Sequence, residues 1–273
     1  PCTRRTLSLL VMGLAAAGGF VLGPRRPPTR LASLLYSSTE EEHLVRQVEA
    51  FDSMAVLFTL GLQPETEHSV RHLSRQFLKQ MAEKRGSQDG YKLLDVGCGA
   101  GLLFGFLLQA AQELGWKLDI TGVDISPAMV NFAKDYAGQL MEDMGEQHAI
   151  EVLEEDAVKY LRENIGTYDG IIANRCFGNF WDPQEAVDAM AGGLRENGVL
   201  CISHPAGAEF VEEVRRKSPE ITLNGMPTIE ELTSMIAPGK LQLLEFTEEV
   251  DWADAEDGER LPIYYASAVK SAE

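Results

Sequence analysis

The sequence is poor in the residues on which several functions depend. It holds four cysteines, Cys2, Cys98, Cys176 and Cys201, scattered and without a C-x-x-C pair. That argues against a disulfide scaffold and against a zinc site of the usual spacing. His43, His68, His72 and His148 read as residues of cap or surface segments, so no metal is expected. Basic residues are also few, 24 Lys and Arg against 42 Asp and Glu, for a net charge of −18. No acid occurs before Glu40, whereas five arginines do (Arg4, Arg5, Arg25, Arg26 and Arg30), so 19 of the 24 basic residues face all 42 acids from Glu40 onward, a charge of −23. A body that acidic repels phosphate backbones, and no nucleic-acid partner is expected. Long apolar runs are missing too. The one from Leu7 to Leu22 is rich in Ala and Gly and too short to favour a membrane span.

That run follows Arg4 and Arg5 in the manner of a secretory signal. It leads into GPRRPPTRLASLLYSST (Gly23 to Thr39), which is Arg-, Pro- and hydroxyl-rich like an organellar transit peptide. The two together resemble the bipartite leaders of algae with complex plastids, with Phe20 as the aromatic residue after the signal. Residues 1–39 are therefore expected to be a leader, cleaved within Ala17–Phe20 and again near Thr39. It would deliver the protein to the plastid stroma, with the mitochondrion as the alternative, and leave no stable membrane anchor in the mature form.

What is present after Glu40 is an ordered alternation. Leu44, Val48, Phe51, Ala55 and Phe58 make a helical stripe, ended by Gly61 and Pro64; Val70, Leu73, Phe77, Leu78 and Met81 make a second, ending near Gly86. Residues 40–90 are expected as a helical cap and 91–273 as the main domain. From Tyr91, short apolar strands alternate with amphipathic helices, as in an α/β doubly wound, Rossmann-like sheet. Seven strands are predicted at 92–96, 119–123, 150–153, 170–173, 199–203, 241–250 and 263–269. DWADAEDGER (251–260) joins the last two without a helix, so they are expected to pair antiparallel.

The strongest motif is Leu93-Leu94-Asp95-Val96-Gly97-Cys98-Gly99-Ala100-Gly101, a buried strand running into glycines that open a helix. Such glycines let the backbone approach a ligand closely. A dinucleotide fingerprint would need a third small residue where Leu102 stands. Asp95, two residues before the first glycine, is placed to meet a cationic amino group. Asp124 ends the second strand, where an acid can accept ribose hydroxyls, with Ile125 beside it. Asp156, followed by Ala157, succeeds the third strand and is placed to accept from an adenine amino group. A ligand with an ammonium and a sulfonium but no phosphate suits three acids at three strand ends.

The stretch from Lys92 to Val269 thus resembles a class I S-adenosylmethionine-dependent methyltransferase, and the final hairpin is similar to that family's seventh strand. The resemblance implies S-adenosylmethionine as cofactor, held by Asp95, Gly97, Gly99, Gly101, Asp124, Ile125, Asp156, Ala157 and Asn174. Phe51-Asp52-Ser53-Met54-Ala55 resembles the F-D-x-x-A stretch that many small-molecule members carry on a helix over the cofactor. Ile202-Ser203-His204-Pro205-Ala206-Gly207 is similar to plastid methyltransferase-like proteins of plants and algae. Asn174-Arg175-Cys176 departs from the Asn-Pro-Pro-Tyr motif of amino-group methyltransferases, so that mechanism is not carried over. Phe51, Phe177 and Trp181, with Phe180, are candidates to wall a pocket for a small-molecule acceptor; His204 is the candidate base, and residues 208–240 the candidate specificity element. A non-catalytic binding or assembly factor and a protein methyltransferase stand as alternatives.

Overall fold

The computed structural model describes residues 39–86, 90–144, 147–252 and 259–272. The expected leader lies outside these residues except for Thr39, as does the tip of the last hairpin. Thr39 opens helix α1 (Glu40–Met54) with a capping box: its hydroxyl accepts from the Glu42 N–H, and the Glu42 carboxylate accepts from the Thr39 N–H. A 3-10 turn, Ala55–Thr59, continues α1, and α2 (Pro64–Arg85) follows. Then come β1 (Tyr91–Val96), α3 (Leu102–Leu114), β2 (Leu118–Asp124), α4 (Pro127–Met144), β3 (Ala149–Glu154), α5 (Ala157–Glu163) and β4 (Tyr168–Asn174). After a 3-10 turn at Phe177–Asn179, α6 (Pro183–Gly193), β5 (Leu194–His204), α7 (Gly207–Lys217), α8 (Ile229–Ile236), β6 (Leu241–Asp251) and β7 (Arg260–Lys270) complete the described chain.

The strands form one seven-stranded sheet in the order β3-β2-β1-β4-β5-β7-β6. The first five run parallel, and β7 pairs antiparallel with both β5 and β6. This is the Rossmann-like sheet expected from the sequence. Residues of β1 such as Leu93, Leu94 and Val96 are fully buried, because helices cover both faces. One apolar cluster joins α2, α3 and α4 to one face through Leu73, Phe77, Leu78, Phe104 and Leu107. The other joins α5, α6 and α8 to the opposite face through Leu161, Val187, Met190 and Leu232.

The pair of helices expected as a cap divides into two roles. A Cβ on Gly170 of β4 would stand 2.7 Å from the Phe77 ring, 2.8 Å from the Met81 sulfur and 2.9 Å from Leu93, so α2 lies directly on the sheet. Its Phe77, Leu78 and Met81 are fully buried, each stabilising the fold by roughly 1.5–3 kcal/mol. Only α1 lies elsewhere. Strand order turns back between β1 and β4, and at that switch point the carboxyl ends of β1, β2 and β4 open into a crevice. Helix α1 packs over it.

Candidate active site

The crevice begins with the loop that β1 feeds into α3. Gly97, Gly99 and Gly101 all have positive φ (63°, 54° and 80°), which a residue with a Cβ adopts only at a cost. Packing explains two of them: a Cβ on Gly97 would stand 2.7 Å from the Cys176 Cβ, and one on Gly101 would stand 2.7 Å from the Phe104 ring and 3.3 Å from the Ala133 backbone. Around Gly99 nothing lies within 4 Å. Its missing side chain opens onto the cavity, so Gly99 is the glycine that leaves room for a ligand.

Three acids line that cavity. Asp95 is buried at 2% exposure, and its Oδ2 has no hydrogen-bond partner. Burial first, and the neighbouring Asp124 carboxyl second, push its pKa well above the usual carboxylate range. Asp124 is tied down instead: Oδ2 accepts from the Gly99 N–H at 2.8 Å and Oδ1 from the Ser126 N–H at 2.9 Å. Burial raises its pKa and those amides oppose the rise. Asp124 therefore sets the spacing between the glycine loop and the start of α4. Asp156 is the N-cap of α5, with Oδ1 accepting from the Lys159 N–H at 2.8 Å. Ile125 and Ala157 line the cavity beside these acids, as does Asn174 at the end of β4, whose Oδ1 accepts from the Ser203 hydroxyl.

Helix α1 closes one side through the stretch that the sequence singled out. The Phe51 ring faces the cavity and meets Phe58 edge-on. Asp52 Oδ1 accepts from the Ser126 hydroxyl at 2.5 Å and the Ala128 N–H at 3.1 Å, and Ala55 is buried with Ala100 and Met129. Higher on the same helix, His43 Nε2 and Gln47 Nε2 lie 3.1 and 2.6 Å from the Asn179 carbonyl oxygen. The far wall carries Asn179, Phe180 and Trp181, with Trp181 40% exposed. The cavity lies between these two walls and opens to solvent.

Residues 87–250 match the family model described as a methyltransferase domain. The chain belongs to this methyltransferase family. It is 26% identical over 156 residues to a ubiquinone biosynthesis O-methyltransferase of Bordetella avium, covering 56% of this chain and 58% of that protein. It is 25% identical over 169 residues to a malonyl-[acyl-carrier protein] O-methyltransferase of Halalkalibacterium halodurans, covering 60% and 54%. These matches span little more than half the length of the curated relatives. The fold is shared with the YcgJ protein of Bacillus subtilis at a TM-score of 0.54 and 16% identity, over 76% of this chain and 100% of that one.

The family implies S-adenosylmethionine as methyl donor, and the site of this methyltransferase fits it. The unpartnered, buried Asp95 oxygen suits an ammonium, while the open space at Gly99 would admit a nucleoside close to backbone. A pyrophosphate would meet Asp95 and Asp124 unfavourably.

Three of the residues singled out in the sequence are not among those lining the cavity. Gly101 packs under α3. Phe177 is 2% exposed in the core cluster, edge-on to Phe180, which takes the wall position instead. His204 is buried against Phe210, its Nδ1 accepting from the Ala206 N–H at 3.2 Å. Burial first and the Arg175 charge second hold its pKa down to about 3, which leaves too weak a base to take a proton near neutrality. The expected base role is therefore not supported. Nor do 208–240 line the cavity: Thr222 and Asn224 instead donate to Asn179 and Phe180 of the wall, and the Ile221 carbonyl accepts from Gln47 of α1. His43 and His148, expected on cap or surface segments, are buried. Sequence reasoning also passed over Gln47, Phe58 and the alignment of Arg175 with Phe58; a polar pair four residues apart on an apolar stripe was the available signal for His43 and Gln47.

Proposed function

We propose that this methyltransferase acts on a small-molecule acceptor that sits between Phe51 and Phe58 on one side and Phe180 and Trp181 on the other. The observation that carries the reading is a single cavity whose inner end holds the orphaned Asp95 oxygen and the open Gly99, and whose outer end is aromatic. The O-methyltransferase names of the relatives support an oxygen acceptor.

When bound, S-adenosylmethionine supplies a methyl group already activated on a sulfonium. The chain's own work is then to align, desolvate and hold. Asp95 would take the cofactor's amino group, Asp124 and Asp156 would offer lone pairs to its hydroxyls and adenine, and Gly97 and Gly99 would leave room for it. Phe51, braced by Asp52, excludes water from above. Phe180 and Trp181 set the approach of the acceptor. The bipartite character of residues 1–39 supports a plastid stroma as the place of action, which imaging of a fluorescent fusion in the source cells would test.

The functional reading is tested by incubating the protein and labelled S-adenosylmethionine with an extract of the source cells, separated into small-molecule and protein fractions. Label in a small organic product is expected. Label only in protein, or S-adenosylmethionine bound without turnover in either fraction, would overturn it.

A further inference from the structure

Arg175 is the one basic residue among the described residues that line the cavity; the other charged ones include Asp95, Asp124, Glu155, Asp156, Asp182 and Glu185. Those acids account for a cationic, phosphate-free cofactor. They leave an arginine in the same space unexplained. Arg175 is exposed, and no carboxylate among the described residues pairs with it, whereas Glu155 and Glu185 on the lining are paired with Lys159 and Arg162. The guanidinium lies 5.7 Å from the centre of the Phe58 ring. A guanidinium held over a ring by a cation–π contact keeps its N–H donors available to a further partner. The backbone is also committed to the placement: Arg175 has φ 66°, a left-handed conformation costly for a residue with a Cβ, and its N–H donates to the Ser203 carbonyl at 2.9 Å. Strain of that kind gathers where a site must hold a side chain in one place.

Resting on the methyltransferase reading above, we propose that Arg175 is the specificity residue for the acceptor and that the acceptor carries a carboxylate on an apolar or aromatic body. The planar fork of the guanidinium matches a carboxylate's two oxygens, and Phe51, Phe58, Phe180 and Trp181 supply the apolar surround. A single negative charge is favoured over the double charge of a phosphate because the neighbouring lining residues are acids. A neutral acceptor would leave the arginine desolvated on binding and unpaired.

The test uses the full chain saturated with S-adenosylhomocysteine and three probes of one shape: phenylacetate, phenylacetamide and benzylphosphonate, with affinities read by ligand-observed NMR. Phenylacetate is expected to bind about tenfold or more tightly than the amide, and more tightly than the phosphonate. In Arg175→Gln the acid and amide should come within about twofold, while Arg175→Lys keeps part of the preference, since it retains the charge without the fork. Thermal melting of both variants should stay within a few degrees of the parent, since the ring contact with Phe58 is the only packing that they lose among the described residues. An acid preference that survives Arg175→Gln, or none in the parent protein, would overturn the role of Arg175; a preference for the phosphonate would overturn the carboxylate. A chain that takes up no S-adenosylhomocysteine overturns the cofactor assignment itself, a result separate from these.

Discussion

Alanine at Gly99 and alanine at Gly97 should have opposite consequences, although both glycines sit in one loop at similar φ, 54° and 63°. Each substitution places a Cβ in a left-handed residue, which costs roughly 1–2 kcal/mol. At Gly99 that is the whole structural cost, because nothing lies within 4 Å of the new carbon. At Gly97 the new carbon stands 2.7 Å from the Cys176 Cβ and 3.1 Å from its sulfur, and Cys176 is itself anchored by its thiol to the Val96 carbonyl at 3.0 Å. Overpacking of that kind adds about 1–3 kcal/mol. With roughly 2–4 °C of melting temperature per kcal/mol at this chain length, Gly99→Ala should melt only a few degrees below the parent and Gly97→Ala clearly lower. Binding should show the reverse discrimination. The Gly99 methyl group fills space meant for the ligand, so affinity for S-adenosylhomocysteine should fall at least about tenfold in a protein that remains folded. Differential scanning fluorimetry and calorimetric titration of the two variants read both quantities. Undiminished affinity in Gly99→Ala would refute the assignment of that open space to the ligand.

Asp95→Asn should stabilise the ligand-free protein while weakening S-adenosylmethionine binding about tenfold or more, since it removes a buried carboxyl whose Oδ2 has no partner. The sign follows from the raised pKa: the folded state favours the protonated acid, so its stabilising contribution is lost as pH rises toward the folded pKa, and the variant's melting advantage should be greater at pH 8 than at pH 5. Asp52→Ala removes the acceptor for the Ser126 hydroxyl and the Ala128 N–H; it should cost about 1 kcal/mol and speed amide exchange along α1. His204 stays uncharged down to about pH 3, so stability should fall as pH drops from roughly 6.5 toward that value, by at most about 1.4 kcal/mol per pH unit. His204→Gln should remove that part of the slope and leave the pH–rate profile above pH 6 unchanged. A vanished ionisation in the rate profile would restore the histidine as base.

Periodicity and punctuation made the architecture legible. Apolar runs such as that of β1, the Ser126-Pro127 start of α4 and the capping box at Thr228 and Glu231 each encode an element locally. The cofactor end of the site was legible for the same reason: Asp95, Gly99, Asp124 and Asp156 lie at or just past the carboxyl ends of β1, β2 and β3, and the topology brings parallel strand ends together. The acceptor end was not, because it depends on which way a side chain turns after its strand stops. Phe177 opens a 3-10 turn and Phe180 is the residue just after it, yet one enters the core and the other lines the cavity. His204 likewise sits at the promising edge of the sheet, but β7 inserts beside β5, pairing Tyr264 with His204, and Phe210 of α7 covers the ring. The pairing with β7 is long-range, and no local pattern announces it.

The most direct measurement is calorimetric titration of the chain with S-adenosylmethionine, S-adenosylhomocysteine and NADH in turn. One-to-one binding of both adenosyl ligands, lost in Asp124→Ala, with no heat from NADH, is the expected result. Heat from NADH and silence with the two adenosyl ligands would contradict the reading of the cleft.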